Sequence, residues 1–438
     1  MRELLLLAIV LVLCVIAIFK PRIGFFAYTW FALMRPDIMA WTSGTYPYSE
    51  ALAIATLVGS LRHFGTALIL FRQPIALGLL GLQVPIFLSA MSAVNPALSY
   101  DPYLLFVRMT LMVLLTPILI QTVQHLRQLL IVMAVSLGFL GGKFGLWGLI
   151  HGGVRYDSGY GGMLSDNNCL ALGLAMAVPL CWYCRQMVQT SWVRLCYLLM
   201  VFFTTAAVVM THSRGGALSL AVVFLCILFH SKRKVGLILL IAILIVPSIY
   251  LVRETYIARL KTLEDVDSDS SARSRMNHQL AAFKMWKDYP LLGVGFGSTN
   301  YVSLVEPYLG YPDIHVVHNN YLQMLVDSGI FSFVIYVGLL FGTIAWLESS
   351  ARKTRRQTPG AEVYPYAIQA PLIAFAVGSL FLSRVSFDLV YMLLMCAASW
   401  WLVCSRRAAA EQDQQTQRAQ ASVMLLQDGL TINSGQLS

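Results

Sequence analysis

The sequence predicts an all-α, polytopic transmembrane protein, and three observations carry that prediction. Hydrophobic residues make up 58% of the chain and charged residues only 12%, about half the ~25% charge of soluble domains. The mean hydropathy is +0.69. The apolar residues fall in continuous runs near the ~20 needed to cross a ~30 Å hydrocarbon core as a helix. Barrel-type alternation is absent, and backbone in lipid needs the internal hydrogen bonds that helices supply.

The runs occupy 4–19, 23–40, 50–68, 75–93, 103–121, 127–150, 166–185, 194–211, 214–230, 235–252, 320–347, 365–382 and 385–404. The first has no small-residue cleavage site before Lys20-Pro21-Arg22 and reads as a retained anchor. Basic clusters lie beside spans: Lys232-Arg233-Lys234, Arg352 to Arg356, and Arg406-Arg407. The net charge of +10 therefore reports topology by the positive-inside rule rather than nucleic-acid binding. Counting back from a cytoplasmic Arg406-Arg407 puts 231–234 and 348–364 inside and 253–319 outside, the periplasm of a bacterial inner membrane. With a cytoplasmic amino terminus the total is even, so about twelve spans are expected and one of 4–19, 23–40 or 50–68 is re-entrant or interfacial. The chain thus divides into amino-terminal helices 1–252, an external loop 253–319, carboxy-terminal helices 320–405 and a cytoplasmic tail 406–438, read as a frayed helix or as disordered.

The eight cysteines include none in 253–319, which argues against a disulfide framework there. Cys181 and Cys184 form a CxxC inside an apolar run and read as small buried hydrophobes. The Gly-rich connection 151–165, with Arg155 and Asp157, should lie outside. Within the long loop, Asp265 to Ser274 reads as a mobile acidic segment and Met276 to Trp286 as an amphipathic helix ended by Asp288-Tyr289-Pro290. Leu291 to Gly297 follows as a glycine-rich turn; no Lys-Ser/Thr follows it, so it is not a phosphate-binding P-loop. A long external loop of this kind is more often functional than filler.

Arg214, at the tight turn Thr211 to Ser213, is costly beside hydrocarbon; it contacts an anion or snorkels to headgroups. Arg273 and Arg275 precede the amphipathic helix and could grip a diphosphate through their planar forks, or remain solvated beside the acids at 265–269. His318 stands where the loop meets span 320–347 and could take a proton from a hydroxyl. Asn319, Asn320, Tyr321 and Asp327 are its supporting neighbours. His315 competes with it, and spacing does not separate the two. A metal site from Asp313, His315 and His318 lacks a known ligand spacing. No GxSxG, HExxH or zinc-type cysteine cluster is present.

Ser213-Arg214-Gly215 at a span junction, Arg275 ahead of Pro290 to Gly295, and His318-Asn319-Asn320-Tyr321-Leu322 ahead of Asp327-Ser328-Gly329 resemble the O-antigen ligase and polymerase superfamily. The likeness is greatest to the O-antigen ligases and related O-glycosylation ligases. The motifs cover roughly 165–340. The resemblance implies a GT-C-type membrane glycosyltransferase, with short helices in its periplasmic loop, that moves a glycan from undecaprenyl diphosphate to lipid A-core. It implies Arg214 and Arg275 as diphosphate binders, His318 as the base that activates the acceptor, and inverting transfer without metal or cofactor. A monomer is expected, surrounded by membrane lipids and without nucleic-acid partners. Gln279 stands where many relatives have Trp, and Asp327 where Glu is common.

Three other readings compete. Two share the superfamily: an O-antigen polymerase and a protein O-oligosaccharyltransferase. The third is a transporter of an anionic lipid, but transporters place charges near the bilayer midplane, whereas these candidates cluster at one face.

Overall fold

The computed structural model describes residues 2–40, 46–154, 156–231, 234–236, 238, 242 and 267–434. Most of the 235–252 span, Lys232-Arg233, Arg155 and the first part of the external loop lie outside them. The described chain is nearly all helix, as the apolar runs require.

Prolines set many of the starts. Helix α1 (Arg2–Phe19) is followed by α2 (Pro21–Met34), α3 (Pro36–Met39), α4 (Tyr48–Ser60) and the single turn α5 (Phe64–Ala67). Then come α6 (Pro74–Met91) and α7 (Pro96–Leu119). Pro21, Pro36, Pro74 and Pro96 each occupy a first helical position, where the missing N–H would have had no partner. Helix α7 starts earlier than the 103–121 run because its polar first turns still follow that proline. Arg2–Phe19 and the helical stretch Tyr48–Arg72 are long and apolar enough to cross, whereas α2 at ~1.5 Å per residue reaches only about 21 Å, so of the three amino-terminal runs it is the least able to cross alone.

Helix α8 (Val123–Ile150) starts at Thr122, whose side chain accepts from the His125 N–H at 3.2 Å. The 151–165 connection holds the one departure from an all-helical fold among the described residues. It is an antiparallel hairpin of β1 (Ser158–Gly161) and β2 (Leu164–Asp166). Helices α9 (Asn167–Gln186), α10 (Ser191–Met210) and α11 (Arg214–His230) follow. The external loop contributes α12 (Asp267–Asp288), α13 (Ser298–Leu304) and α14 (Glu306–Leu309), and the chain closes with α15 (Asn320–Gln357), α16 (Val363–Gly378) and α17 (Asp388–Ser434).

Two expectations need correction. Residues 267–274, read as mobile, are the first turns of α12; the stretch is polar but contains neither Gly nor Pro to break a helix. The tail after Arg407, for which a frayed helix is one of two readings, continues α17 to Ser434. Helix α15 runs past 347 to Gln357, so Arg352 sits on a helix, paired to Glu348 at 2.8 Å one turn back; Pro359-Gly360 stops it.

Helix α9 is central: every residue from Cys169 to Cys181 is buried, as a helix apolar on all sides should be. It packs between α8, α10, α11 and α16. Helix α1 lies at the edge with Leu4, Leu5, Leu11 and Val12 exposed, a surface suited to lipid. Nine described helices are long and apolar enough to cross a membrane, and α11 and α16 are shorter apolar helices. Their ends sort as the span alternation predicts. Ser213 meets Asn168 at 2.8 Å and Asn320 meets Ser379 at 3.1 Å at one end. At the other end His230 approaches Glu348 at 3.6 Å, Trp400 bonds Ser350 at 2.8 Å and Arg406 bonds Gln121 at 2.9 Å.

Candidate functional site

The site is built on the junction between the external loop and α15. Asn319 caps the helix, its Oδ1 accepting the N–H groups of Tyr321 at 3.0 Å and Leu322 at 3.2 Å. Its own N–H donates to Ser383 Oγ at 3.2 Å. Asn320 is buried: its N–H and Nδ2 donate to the Ser379 carbonyl and hydroxyl at 2.8 and 3.1 Å, and its Oδ1 accepts from the Arg384 N–H. Tyr321 Oη donates to the Ala376 carbonyl at 2.7 Å. These three residues fasten the start of α15 to the α16–α17 connection. His318, one residue before the cap, has φ of +56°, a left-handed backbone that His adopts more readily than most side chains.

The glycine-rich turn explains the second half of the junction. Helix α15 breaks at Gly329, with φ 72° and ψ −175°, which leaves carbonyls of the preceding turn without helical donors. The turn supplies them: Val294 N–H donates to the Val326 carbonyl and Gly295 N–H to the Asp327 carbonyl, each at 2.9 Å, and Ile330 N–H returns to the Pro290 carbonyl at 3.0 Å. A Cβ on Gly293 (φ +69°) would stand 2.4 Å from the Val326 oxygen. Asp327 is therefore a buried strut, its carboxylate accepting from Gln323 Nε2 at 2.7 Å.

Above this turn α12 lays Ala281, Ala282 and Met285 on Val294, Tyr301, Val305, Val317 and Val326, a small core separate from the main one. One turn earlier, His278 is fully buried, Nδ1 against Tyr301 Oη at 3.0 Å and Nε2 against Asp313 Oδ2 at 3.1 Å. Asp313 also bonds the His315 ring and accepts its backbone N–H at 3.0 Å. Burial would raise the Asp313 carboxyl, but hydrogen bonds from His278 and His315 outweigh it and hold the group well below the usual carboxylate range. His278, Asp313 and His315 have ligand atoms all within 4.8 Å of one another and are the described residues that could hold a cation. The third member is His278, not the His318 considered from sequence. Arg275 and His278 lie three apart on α12 and share a face; that spacing was the available signal for His278.

Arg214 begins α11, placed by Ser213, whose Oγ accepts the Gly216 N–H at 3.2 Å and donates to Asn168. Arg275 is lowered from the ordinary guanidinium range by burial and by the Arg214 charge. His318 is pushed down to about 4 by burial first, then by Arg275, His315 and His278, with Asp166 opposing. Arg275 thus lies within electrostatic reach of both Arg214 and His318. Among the described residues neither Arg214 nor Arg275 forms an ion pair. Two guanidiniums that feel each other's charge can hold an anion between them, with the Asp166 carboxylate on the His318 side.

The other candidates sort differently. Arg273, two positions from Arg275 on α12, points around the helix away from it. Arg384 is engaged with the hairpin, donating to Ser165 Oγ at 2.5 Å and the Gly162 carbonyl at 2.7 Å. His315 is tied to Asp313, which separates it from His318 where spacing did not. Asp166, which caps α9 and faces His318, was missed by one residue in the 151–165 connection.

Residues 199–337 match the family model described as O-Antigen ligase. The matched segment runs from within α10 into α15 and contains Arg214, Arg275 and His318. No curated protein matches the chain.

Proposed function

We infer, from the match of residues 199–337 to the O-Antigen ligase family model, an O-antigen ligase that takes a glycan from undecaprenyl diphosphate and joins it to lipid A-core. The observation that carries this reading is the pair Arg214 and Arg275, without carboxylate partners, beside the uncharged His318. In this reading the Arg214 end of the bundle faces the periplasm of a bacterial inner membrane, and the described part of the external loop lies on that side.

The two guanidiniums bind the diphosphate and stabilise the charge that grows on it as the bond to the sugar breaks. His318, neutral because its surroundings disfavour a second proton, accepts the proton of the acceptor hydroxyl. The acceptor oxygen forms a bond to the anomeric carbon from the face opposite the departing diphosphate, which inverts that centre. Undecaprenyl diphosphate leaves with the electron pair of the broken bond. The diphosphate is already a good leaving group, so positioning and charge stabilisation suffice, and general base catalysis adds about 10²–10⁴-fold. Asn319, Asn320 and Tyr321 hold the histidine's turn in place.

The test is transfer by the purified chain from undecaprenyl-diphosphate glycan, offered lipid A-core or a second donor molecule, with products weighed. A lipid A-core conjugate supports the ligase; elongation of the donor alone makes the chain a polymerase. Movement of labelled lipid with no covalent product would replace both with the transporter.

A further inference from the structure

At the opposite end of the bundle from Arg214, a cavity of about 880 Å³ opens between the α1–α2 corner, Thr66 of α5 and His63 of the turn before it, the end of α7, the start of α8, and α17. Its cationic lining is Lys20, Arg22 and Arg406, joined by His63 and His125, with no carboxylate among the lining residues. Three fixed positive charges around one cavity repel one another, and an anion between them removes that cost.

Each arginine is held by one edge. Arg22 Nε donates to the Leu119 carbonyl at 3.1 Å, and Arg406 Nη2 to Gln121 Oε1 at 2.9 Å. Lys20 forms no side-chain hydrogen bond or ion pair among the described residues. The cations are thereby positioned by the ends of helices without being neutralised.

Beside the polar Thr66, Gln121, Thr122 and Gln128, the walls carry a hydrocarbon stretch: Ile23 and Phe26 of α2, Ile118 and Leu119 of α7, Ile131 and Val132 of α8. Beside the opening the stretch 61–72 interleaves Arg62 and Arg72 with Leu61, Phe64, Leu68 and Phe71, which are 67%, 78%, 67% and 65% exposed. A free phosphate would satisfy the cations and leave this apolar lining wet. A phosphate that carries acyl chains satisfies both.

We propose that the cavity bounded by Lys20, Arg22 and Arg406 binds an anionic glycerophospholipid, its phosphate among the three cations and its chains along α2, α7 and α8. Basic pockets between spanning helices on the positive-rich side of a membrane bind such headgroups. The proposal is independent of the ligase reading, since no residue of the Arg214 site takes part.

The test is native mass spectrometry of the full chain in detergent, titrated separately with phosphatidylglycerol, phosphatidylcholine and inorganic phosphate. Phosphatidylglycerol should be retained in preference to phosphatidylcholine, and Lys20→Gln and Arg406→Gln should each weaken it about fivefold, while Lys20→Arg retains it. Lys20→Gln disturbs no described contact, and an unchanged melting temperature separates lost binding from lost folding. Equal retention of both lipids, binding unaffected by Lys20→Gln, or inorganic phosphate binding as tightly as the lipid would each overturn the proposal.

Discussion

Gly329 of α15 stands against Leu291 so closely that a Cβ built on it would meet the Leu291 carbonyl oxygen at 2.0 Å. The contact joins the break in α15 to the glycine-rich turn, and the same junction holds the His318 end of the helix in register. Gly329→Ala adds a clash to a positive-φ backbone and should cost more than about 2 kcal/mol. Gly338, further along the same helix, has no atom within 4 Å of a built Cβ, so Gly338→Ala should be neutral or slightly stabilising. Thermal melting of both variants in detergent measures the difference, and equal melting temperatures would remove the interlock.

The acid limb of kcat/KM should lie near pH 4, where His318 titrates in the free protein, rather than near the ordinary 6.5. The sign follows from the depressed value: His318 is a competent base above about pH 4 and is lost as pH falls through it. Over the same interval the unfolded chain takes up this proton and the folded chain resists it, so His318 withdraws stability as pH falls from about 6.5 to 4. Removing the neighbouring cation with Arg275→Gln should move the limb upward. An imidazole titration by NMR gives the value directly, and a limb that stays put in that variant would contradict the charge coupling.

Arg214→Gln and Arg275→Gln should each lower transfer by about 10²-fold or more, the range for removing one stabiliser of developing charge. Arg→Lys at either position should recover little, because an ammonium does not reproduce a bidentate fork. Arg273→Gln, on another face of α12, should retain near-normal turnover. Steady-state rates for the five variants, with expression and melting checked, decide this.

Asp313→Ala leaves the buried His278 without its Nε2 partner and should cost about 1–3 kcal/mol. His315→Ala, whose ring is 63% exposed, should cost less. Denaturation midpoints compare the two. A larger loss from His315→Ala would mean that the outer histidine, not the buried one, holds the 313–318 segment.

EDTA should leave turnover unchanged, since the two arginines supply the positive charge that a cation would otherwise bring. Loss of activity restored by a divalent ion would instead place an ion between His278, Asp313 and His315.

Much of the fold was legible because a membrane writes its demand into local composition: continuous apolar runs and the cations flanking them follow from the hydrocarbon's thickness and charge exclusion. In the structure, prolines and Ser, Thr, Asp or Asn mark many of the helix starts beside those runs. The exceptions were helices that continue past the apolar run: at Arg352, where polar residues without Gly or Pro extend the helix, and after Arg407, where α17 continues to Ser434.

The candidate site was legible only as separate pieces. Arg214, Arg275 and His318 stood out one by one, but helical phase alone moved Arg273 away from Arg275, and pairing with Asp313 alone divided His315 from His318. Buried His278, the engaged Arg384 and the capping Asp166 belong to contacts between segments far apart in the chain. The amino-acid order determined which stretches lie in hydrocarbon and which end of each helix carries charge, because those depend on neighbours along the chain. That Arg275 lies near Arg214, and that His318 is buried beside Arg275, was decided by tertiary packing, because burial and Coulomb interactions depend on distance through space.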